Sequence, residues 1–320
     1  MRFRLTDDQR ALRDAVRRLL SRRCDPAVLR KAAEGPPVLD RELWRALGAV
    51  GVFALRLPEA EGGAGLGLPE AVLVFEEAGR ALLPGPLVAT HLAAASVPGA
   101  ATGETVVTAV AGGLVEWLDA ADVVCGDAAG AVPLRSVDPL TPLHRVRGGR
   151  GEPEPGGTRD AGDAARAGET RDAGDAGGMR PDPLAVLLTA AEQLGSAVRS
   201  TGLAAQHART REQFGRPIGA FQAVAHLCAG MLVRTETARA AVYAAAVTAD
   251  PVDIAAARLL ADEAAVRCAR DCLQVHGGMG FTWESEVHLH LKRAWMRTRR
   301  GGEVTQSEEV LAGGLLVDGG

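Results

Sequence analysis

The stretch Arg211-Glu212-Gln213-Phe214-Gly215-Arg216-Pro217-Ile218-Gly219-Ala220-Phe221-Gln222 interrupts a long Ala-rich helical pattern, as does Gln274-Val275-His276-Gly277-Gly278-Met279-Gly280-Phe281 further along the chain. We refer to them as the first and second corners. An arginine can hold a pyrophosphate bidentately, an aromatic ring can stack on adenine, and glycines let a backbone approach a phosphate. Taken singly, the first corner is more typical of a turn with a buried Phe, and the second of a glycine helix cap.

Helical periodicity surrounds both corners. Apolar residues recur at helical spacing over residues 184–210, 221–250 and 252–275, and a shorter helix is predicted over 285–300. These segments predict a C-terminal helical bundle over residues 181–320. The last helix is rich in basic side chains, which could bind a CoA 3′-phosphate or pyrophosphate but more commonly form a solvated cationic face. Those side chains are His288, His290, Lys292, Arg293, Arg297, Arg299 and Arg300.

A segment without apolar side chains precedes this bundle. Residues 148–178 contain no Leu, Ile, Val, Phe, Tyr, Trp or Met. Such a segment buries too little apolar surface to offset the entropy of ordering it. Residues 148–180 are therefore predicted to form a low-complexity flexible linker.

The part before the linker divides by pattern into helices and strands. Thr6-Asp7-Asp8-Gln9 is a capping box that predicts the start of a helix, and further helical patterns follow over residues 40–51, 71–83 and 86–95. Four short Val-rich segments between 104 and 147 predict strands. We expect an N-terminal helical domain over residues 1–100 and a small β domain over 101–147.

Composition narrows the class of protein. The 320 residues carry 36 Lys and Arg against 40 Asp and Glu, a net charge of -4, which does not favour nucleic-acid binding. No apolar run reaches the roughly 20 residues of a bilayer span, so no membrane insertion is expected. The N-terminus lacks the apolar core of a secretory signal, and the five cysteines form no CxxC pair. We expect a cytoplasmic protein without a metal site.

The corners and the N-terminal block together resemble the acyl-CoA dehydrogenase family. The matching strings are LTDDQRALRDAVRRLL, LWRALGAVGVFALRLPEAEGGAGLGLPEAVLVFEEAGRALLPGPL, TREQFGRPIGAFQAVAHLCAGMLVRTETARAAVYAAA and QVHGGMGFTWESEVHLHLKRA. The form GFTWESEVHLHLKRA most resembles the short actinobacterial subunits of heteromeric enzymes that act on steroid side chains and other bulky acyl-CoA esters.

The resemblance implies a mainly α fold with an N-terminal helical domain, a central β domain, here reduced, and a C-terminal four-helix bundle. It also implies α,β-dehydrogenation of an acyl-CoA thioester, in which a carboxylate takes the α-proton and FAD takes the β-hydride. Electron-transfer flavoprotein is the implied acceptor. In the family, both corners reach the ADP half of FAD in a partner subunit. The residues matched to that contact are Arg211, Phe214, Gln222, Gln274, Gly277 and Gly278.

The chain departs from the family pattern at the catalytic base. The position matched to the usual glutamate is Gly301, and the alternative position on the first bundle helix falls near Ala185. Neither residue can accept a proton. Glu303 and Glu192 lie close to these positions in sequence. Each could be a relocated base. Alternatively, Glu303 is a solvated terminal residue and Glu192 is a polar residue buried in the helix.

A second departure concerns the flavin ring. The Thr-Glu-Pro and Gly-Ser-Asp strings with which the family contacts the ring are missing from this sequence. The chain retains contacts to a partner's FAD but lacks a base and a ring site, which predicts the non-catalytic subunit of an α2β2 heteromer with FAD shared across the subunit interface. Two alternatives stay open: a self-sufficient dehydrogenase with a relocated base, and a non-redox scaffold or acyl-CoA-binding protein.

Overall fold

The computed structural model describes residues 4–146, 182–300 and 304–317. The predicted linker at 148–180 lies outside these residues, as do Gly301 and Glu303. The helices before the linker are α1 (Asp7–Arg23), α2 (Pro26–Glu34), α3 (Arg41–Ala49), α4 (Leu68–Arg80) and α5 (Leu87–Leu92). Those after it are α6 (Pro183–Thr210), α7 (Gln222–Thr248), α8 (Pro251–His276), α9 (Val287–Arg300) and α10 (Val304–Val317). The predicted mainly α class is confirmed, although α2 and α10 were not anticipated.

Capping side chains fix where several helices begin. The Thr6 hydroxyl accepts from the Gln9 backbone N–H at 3.1 Å, while the Gln9 side chain accepts from the Thr6 N–H at 3.0 Å. This is the predicted capping box. Asp182 caps α6 by accepting from the Leu184 N–H at 2.9 Å, and so fixes the first turn of the helix that carries Ala185.

A five-stranded sheet lies between the helical segments. Its strands are β1 (Val107–Ala111), β2 (Leu114–Glu116), β3 (Val123–Cys125), β4 (Val132–Leu134) and β5 (Leu143–Arg145), in the order β3-β1-β2-β5-β4. Only the β1–β3 pair is parallel among the pairs of this sheet. All four predicted strands are present. The strand β2 was missed; it follows a two-residue hairpin at Gly112 and Gly113, which both have the positive φ that such a turn favours.

Two glycines bring α4 and α6 into direct backbone contact. A Cβ added to Gly79 would lie 1.9 Å from the carbonyl oxygen of Glu192, and one added to Gly195 would lie 1.9 Å from the carbonyl oxygen of Glu76. Any larger side chain would therefore separate the helices. This crossing joins the N-terminal helices to the bundle and sets the position of Glu192.

The expectation of a solvated basic face on α9 is wrong. His290, Arg293 and Arg297 are all buried. Arg293 forms an ion pair with Asp138 and donates to the Leu83 carbonyl oxygen at 3.1 Å. The sequence pattern could not reveal this, because the groups that cover the helix come from segments distant in sequence.

Neither a bilayer span nor a metal site is found where the chain is described. No helix there is long and apolar enough to cross a membrane. The same residues contain no group of three or more His, Cys, Asp or Glu side chains that could hold a metal ion.

Candidate functional site

The first corner is a tight hairpin at the end of α6. Its two strands, β6 (Glu212–Gln213) and β7 (Arg216–Pro217), are joined through Phe214 and Gly215, which both have positive φ. Phe214 is 93% exposed. The interpretation of this stretch as a turn around a buried Phe is therefore wrong.

A neighbouring aromatic residue supports the hairpin. The Phe221 ring makes an edge contact with Phe214 at a centroid distance of 6.0 Å, and the Arg216 guanidinium lies 4.3 Å from the Phe221 centroid. This cation–π contact keeps Arg216 against the protein. Arg211 and Gln222, at the two ends of the corner, are exposed.

The second corner forms where α8 ends. Gln274, Gly277 and Gly278 are exposed. Gly277 has a φ of +59°, which favours glycine, and its N–H bonds to the Gln274 carbonyl oxygen. A Cβ at Gly278 would have no atom within 4 Å. None of the described residues fills the space over Gly278, so the backbone there is open to a ligand within this part of the chain.

The two corners lie side by side at one end of the bundle. The His207 ring on the last turn of α6 stacks on the His276 ring at the end of α8, with centroids 4.2 Å apart and planes at 21°. The structure thus brings together the two stretches that the sequence singled out. Sequence reasoning missed both histidines, although each lies within a few residues of a corner glycine or arginine.

The surroundings of the stack disfavour the charged form of His207. Burial lowers the pKa of His207, and the nearby His276 and Arg211 lower it further. The His276 Nδ1 lies 2.8 Å from the Cys272 carbonyl oxygen and donates to it, because that oxygen can only accept.

Of the base positions, Ala185 and Glu192 are described. Ala185 is half-buried in the first turn of α6. Glu192 is buried, and its Oε1 accepts from Arg297 Nη2 at 2.7 Å. The adjacent Gln193 is also buried and donates to Asp262 at 2.8 Å. Glu192 therefore belongs to a buried polar network that links α6, α8 and α9.

One hydroxyl of the small sheet forms a hydrogen bond within the fold. The Thr108 hydroxyl of β1 is buried and donates to the Glu116 carbonyl oxygen at 2.6 Å. The hydrogen of this hydroxyl is therefore used in a bond within the protein. The exposed guanidinium and ring of the first corner have the chemistry to hold a pyrophosphate and an adenine, the groups of the ADP half of FAD, whereas this sheet hydroxyl is not free to contact a flavin ring.

The helical bundle, small sheet and paired corners define the fold of a flavin-dependent acyl-CoA oxidoreductase. The N-terminal domain of acyl-CoA dehydrogenases matches residues 6–105, and their C-terminal domain matches residues 186–308. The chain belongs to the acyl-CoA dehydrogenase family.

Individual relatives are consistent with this membership. The chain is 39% identical over 314 residues to acyl-CoA dehydrogenase IpdE2 of Mycobacterium tuberculosis, covering 90% of this chain and 91% of that protein. It is similar to the ChsE4-ChsE5 complex of Mycobacterium tuberculosis, with a TM-score of 0.74, 25% identity and 99% coverage of both chains. It also shares the fold of a variant of the steroid ACAD Tcur3481-Tcur3483, with a TM-score of 0.77, 24% identity and 98% coverage of both.

Proposed function

We propose that this chain is the non-catalytic subunit of a heteromeric FAD-dependent acyl-CoA dehydrogenase. It completes the FAD site of a catalytic partner in an α2β2 assembly, and electron-transfer flavoprotein is the acceptor. The observation that carries the proposal is the outward exposure of Phe214, Arg211 and Gln274 at one end of the bundle. Side chains that are exposed in their own chain are available to a ligand that another subunit holds.

Each corner residue has a role that its chemistry allows. The Arg211 guanidinium binds the pyrophosphate bidentately, and the Phe214 ring stacks on the adenine. The open backbone at Gly278 admits a phosphate oxygen, and Gln274 and Gln222 supply amide groups at the rim. FAD, when bound, supplies the acceptor for the hydride that leaves the acyl β-carbon.

The proposal also accounts for the two candidate base positions that the structure describes, Ala185 and Glu192. A methyl group at Ala185 cannot take a proton. Glu192 lies two turns further along α6, about 10 Å in rise, and is paired with Arg297. The partner subunit therefore supplies the carboxylate that removes the α-proton, together with the flavin-ring contacts.

Two structural relatives support a heteromer and a bulky substrate for this chain. ChsE4 and ChsE5 form a complex, and Tcur3481-Tcur3483 is a steroid ACAD. We infer for this chain a role in the degradation of a steroid-type or similarly bulky acyl-CoA.

Flavin content tests the proposal. The chain is purified alone and after co-expression with each acyl-CoA dehydrogenase whose gene neighbours its own. We expect a colourless chain alone, and a stoichiometric yellow complex with the correct partner. One flavin per chain in the lone protein would overturn the proposal.

The alternative of a self-sufficient enzyme is tested by replacing its two candidate bases. Glu303→Gln and Glu192→Gln are assayed with an artificial electron acceptor. Loss of a general base lowers the rate by roughly 10²- to 10⁴-fold, whereas we expect the folded variants to keep the rate of the complex. The non-redox scaffold predicts no flavin even in the presence of a partner.

A further inference from the structure

Two histidines join the corners at their bases. His207 lies one helical turn before Arg211, and its carbonyl oxygen accepts from the Arg211 N–H at 2.8 Å. His276 is the last residue of α8 and directly precedes Gly277. A movement of either ring therefore also moves a corner, because Arg211 follows His207 by four residues and Gly277 follows His276 directly.

The stack is a direct contact between side chains of these two helix ends. The His207 and His276 centroids are 4.2 Å apart, with the rings nearly parallel. The His276 ring is anchored to α8 through the Cys272 carbonyl oxygen at 2.8 Å. Stacking on an anchored ring fixes the last turn of α6 relative to α8.

We propose that His207 and His276 form a positioning pair that holds the two corners in register for FAD, and that protonation of His207 loosens them. This inference rests on the proposed function of the corners. It assigns a role to two residues that do not themselves contact the cofactor.

The surroundings of the pair determine the sign of the pH effect. Arg211 at the end of α6 acts on His207, and the Cys272 thiol of α8, whose pKa is raised by burial, lies 3.6 Å from the His276 Nδ1. Asp271 of α8 is paired with Arg234. The pKa of His207 lies below its ordinary value of 6.5 in the stack. The stacked state is thus favoured above pH 6.5 and is progressively lost as the pH falls below it.

The test uses the complex with its partner subunit and follows FAD release by flavin fluorescence. For the unmodified complex we expect FAD to bind roughly tenfold more weakly at about pH 5.5 than at about pH 7.5. The double variant His207→Phe/His276→Phe keeps two stacked rings that cannot titrate, and its FAD affinity should be independent of pH. The double variant His207→Ala/His276→Ala should bind FAD more weakly at both pH values.

His226→Phe is the matched control, because His226 is an exposed histidine near the start of α7. It should keep the pH profile of the unmodified complex. A Phe pair that retains that profile would overturn the positioning role while leaving the proposed function intact. A complex without flavin would overturn the proposed function itself.

A second measurement depends on the stack alone. Histidine ring resonances of the full chain are titrated by NMR, with and without His276→Phe. Because His276 lowers the pKa of His207, that pKa should rise in His276→Phe. An unchanged His207 titration would contradict the stack, whatever the flavin content of the complex.

Discussion

Arg297 of α9 donates a hydrogen bond to Glu192 of α6 at 2.7 Å, and both side chains are buried. A second guanidinium nitrogen of Arg297 donates to the Glu192 backbone oxygen at 3.3 Å. The pair thus ties α9 to α6 through the side chain and the main chain of one residue. A carboxylate held in this way is part of the bundle and is poorly suited to take a proton from a substrate.

Removal of this carboxylate should therefore cost stability. Glu192→Ala removes a buried carboxylate that pairs with Arg297 and should lower the free energy of unfolding by about 3–5 kcal/mol, measured by urea denaturation. The matched control is Glu263→Ala, which breaks an exposed pair with Arg267 and should cost less than about 1 kcal/mol. Equal costs for the two variants would contradict a structural role for Glu192.

The glycine contact between α4 and α6 gives a second stability prediction. In Gly195→Ala the new methyl group would clash with the Glu76 carbonyl oxygen, and we expect a loss of about 1–3 kcal/mol. Gly202→Ala is the control on the same helix, where an added Cβ has no atom within 4 Å. It should gain roughly 0.5–1 kcal/mol from helix propensity. Denaturation midpoints that move in the same direction would contradict the close crossing.

A buried histidine predicts acid sensitivity. His91 of α5 donates to the Val52 carbonyl oxygen at 3.0 Å, and burial lowers its pKa to about 4. Because the unfolded chain binds this proton below pH 6.5, the folded state should lose about 2 kcal/mol from His91 alone between pH 7 and pH 5.

The corresponding measurement compares the pH dependence of unfolding in two variants. His91→Asn can keep the donor to Val52 but cannot titrate, so it should flatten the dependence by that amount even if it lowers stability at every pH. His226→Asn replaces an exposed histidine and should leave the slope unchanged. A His91→Asn protein with the original slope would contradict this account.

Local features of the fold were predictable from sequence, because they depend on neighbouring residues. The Thr6 capping box and the four Val-rich strands fall where they were expected. The two corners were also located correctly, since glycine and proline mark breaks in a helical pattern. The domain boundaries and the roles of the corner residues stay predictions.

Features that depend on contacts distant in sequence were missed. The basic residues of α9 looked solvated, because the carboxylates that pair with Arg293 and Arg297 lie more than 100 residues earlier. The first corner considered alone predicts a buried ring at Phe214. That prediction is wrong because hydrophobicity alone does not distinguish a core residue from one that projects toward a ligand. The stacking of His207 on His276 required the packing of α6 against α8.

The FAD affinity of the assembled complex tests the central claim most directly. Arg211→Ala, introduced only in this chain, should weaken FAD binding by roughly 10- to 150-fold, the cost of about 1.5–3 kcal/mol for a lost hydrogen bond to a charged group. Arg209→Ala removes an equally exposed arginine from the last turn of α6 and should leave the affinity unchanged. If Arg211→Ala binds FAD as tightly as Arg209→Ala, this chain does not complete its partner's cofactor site.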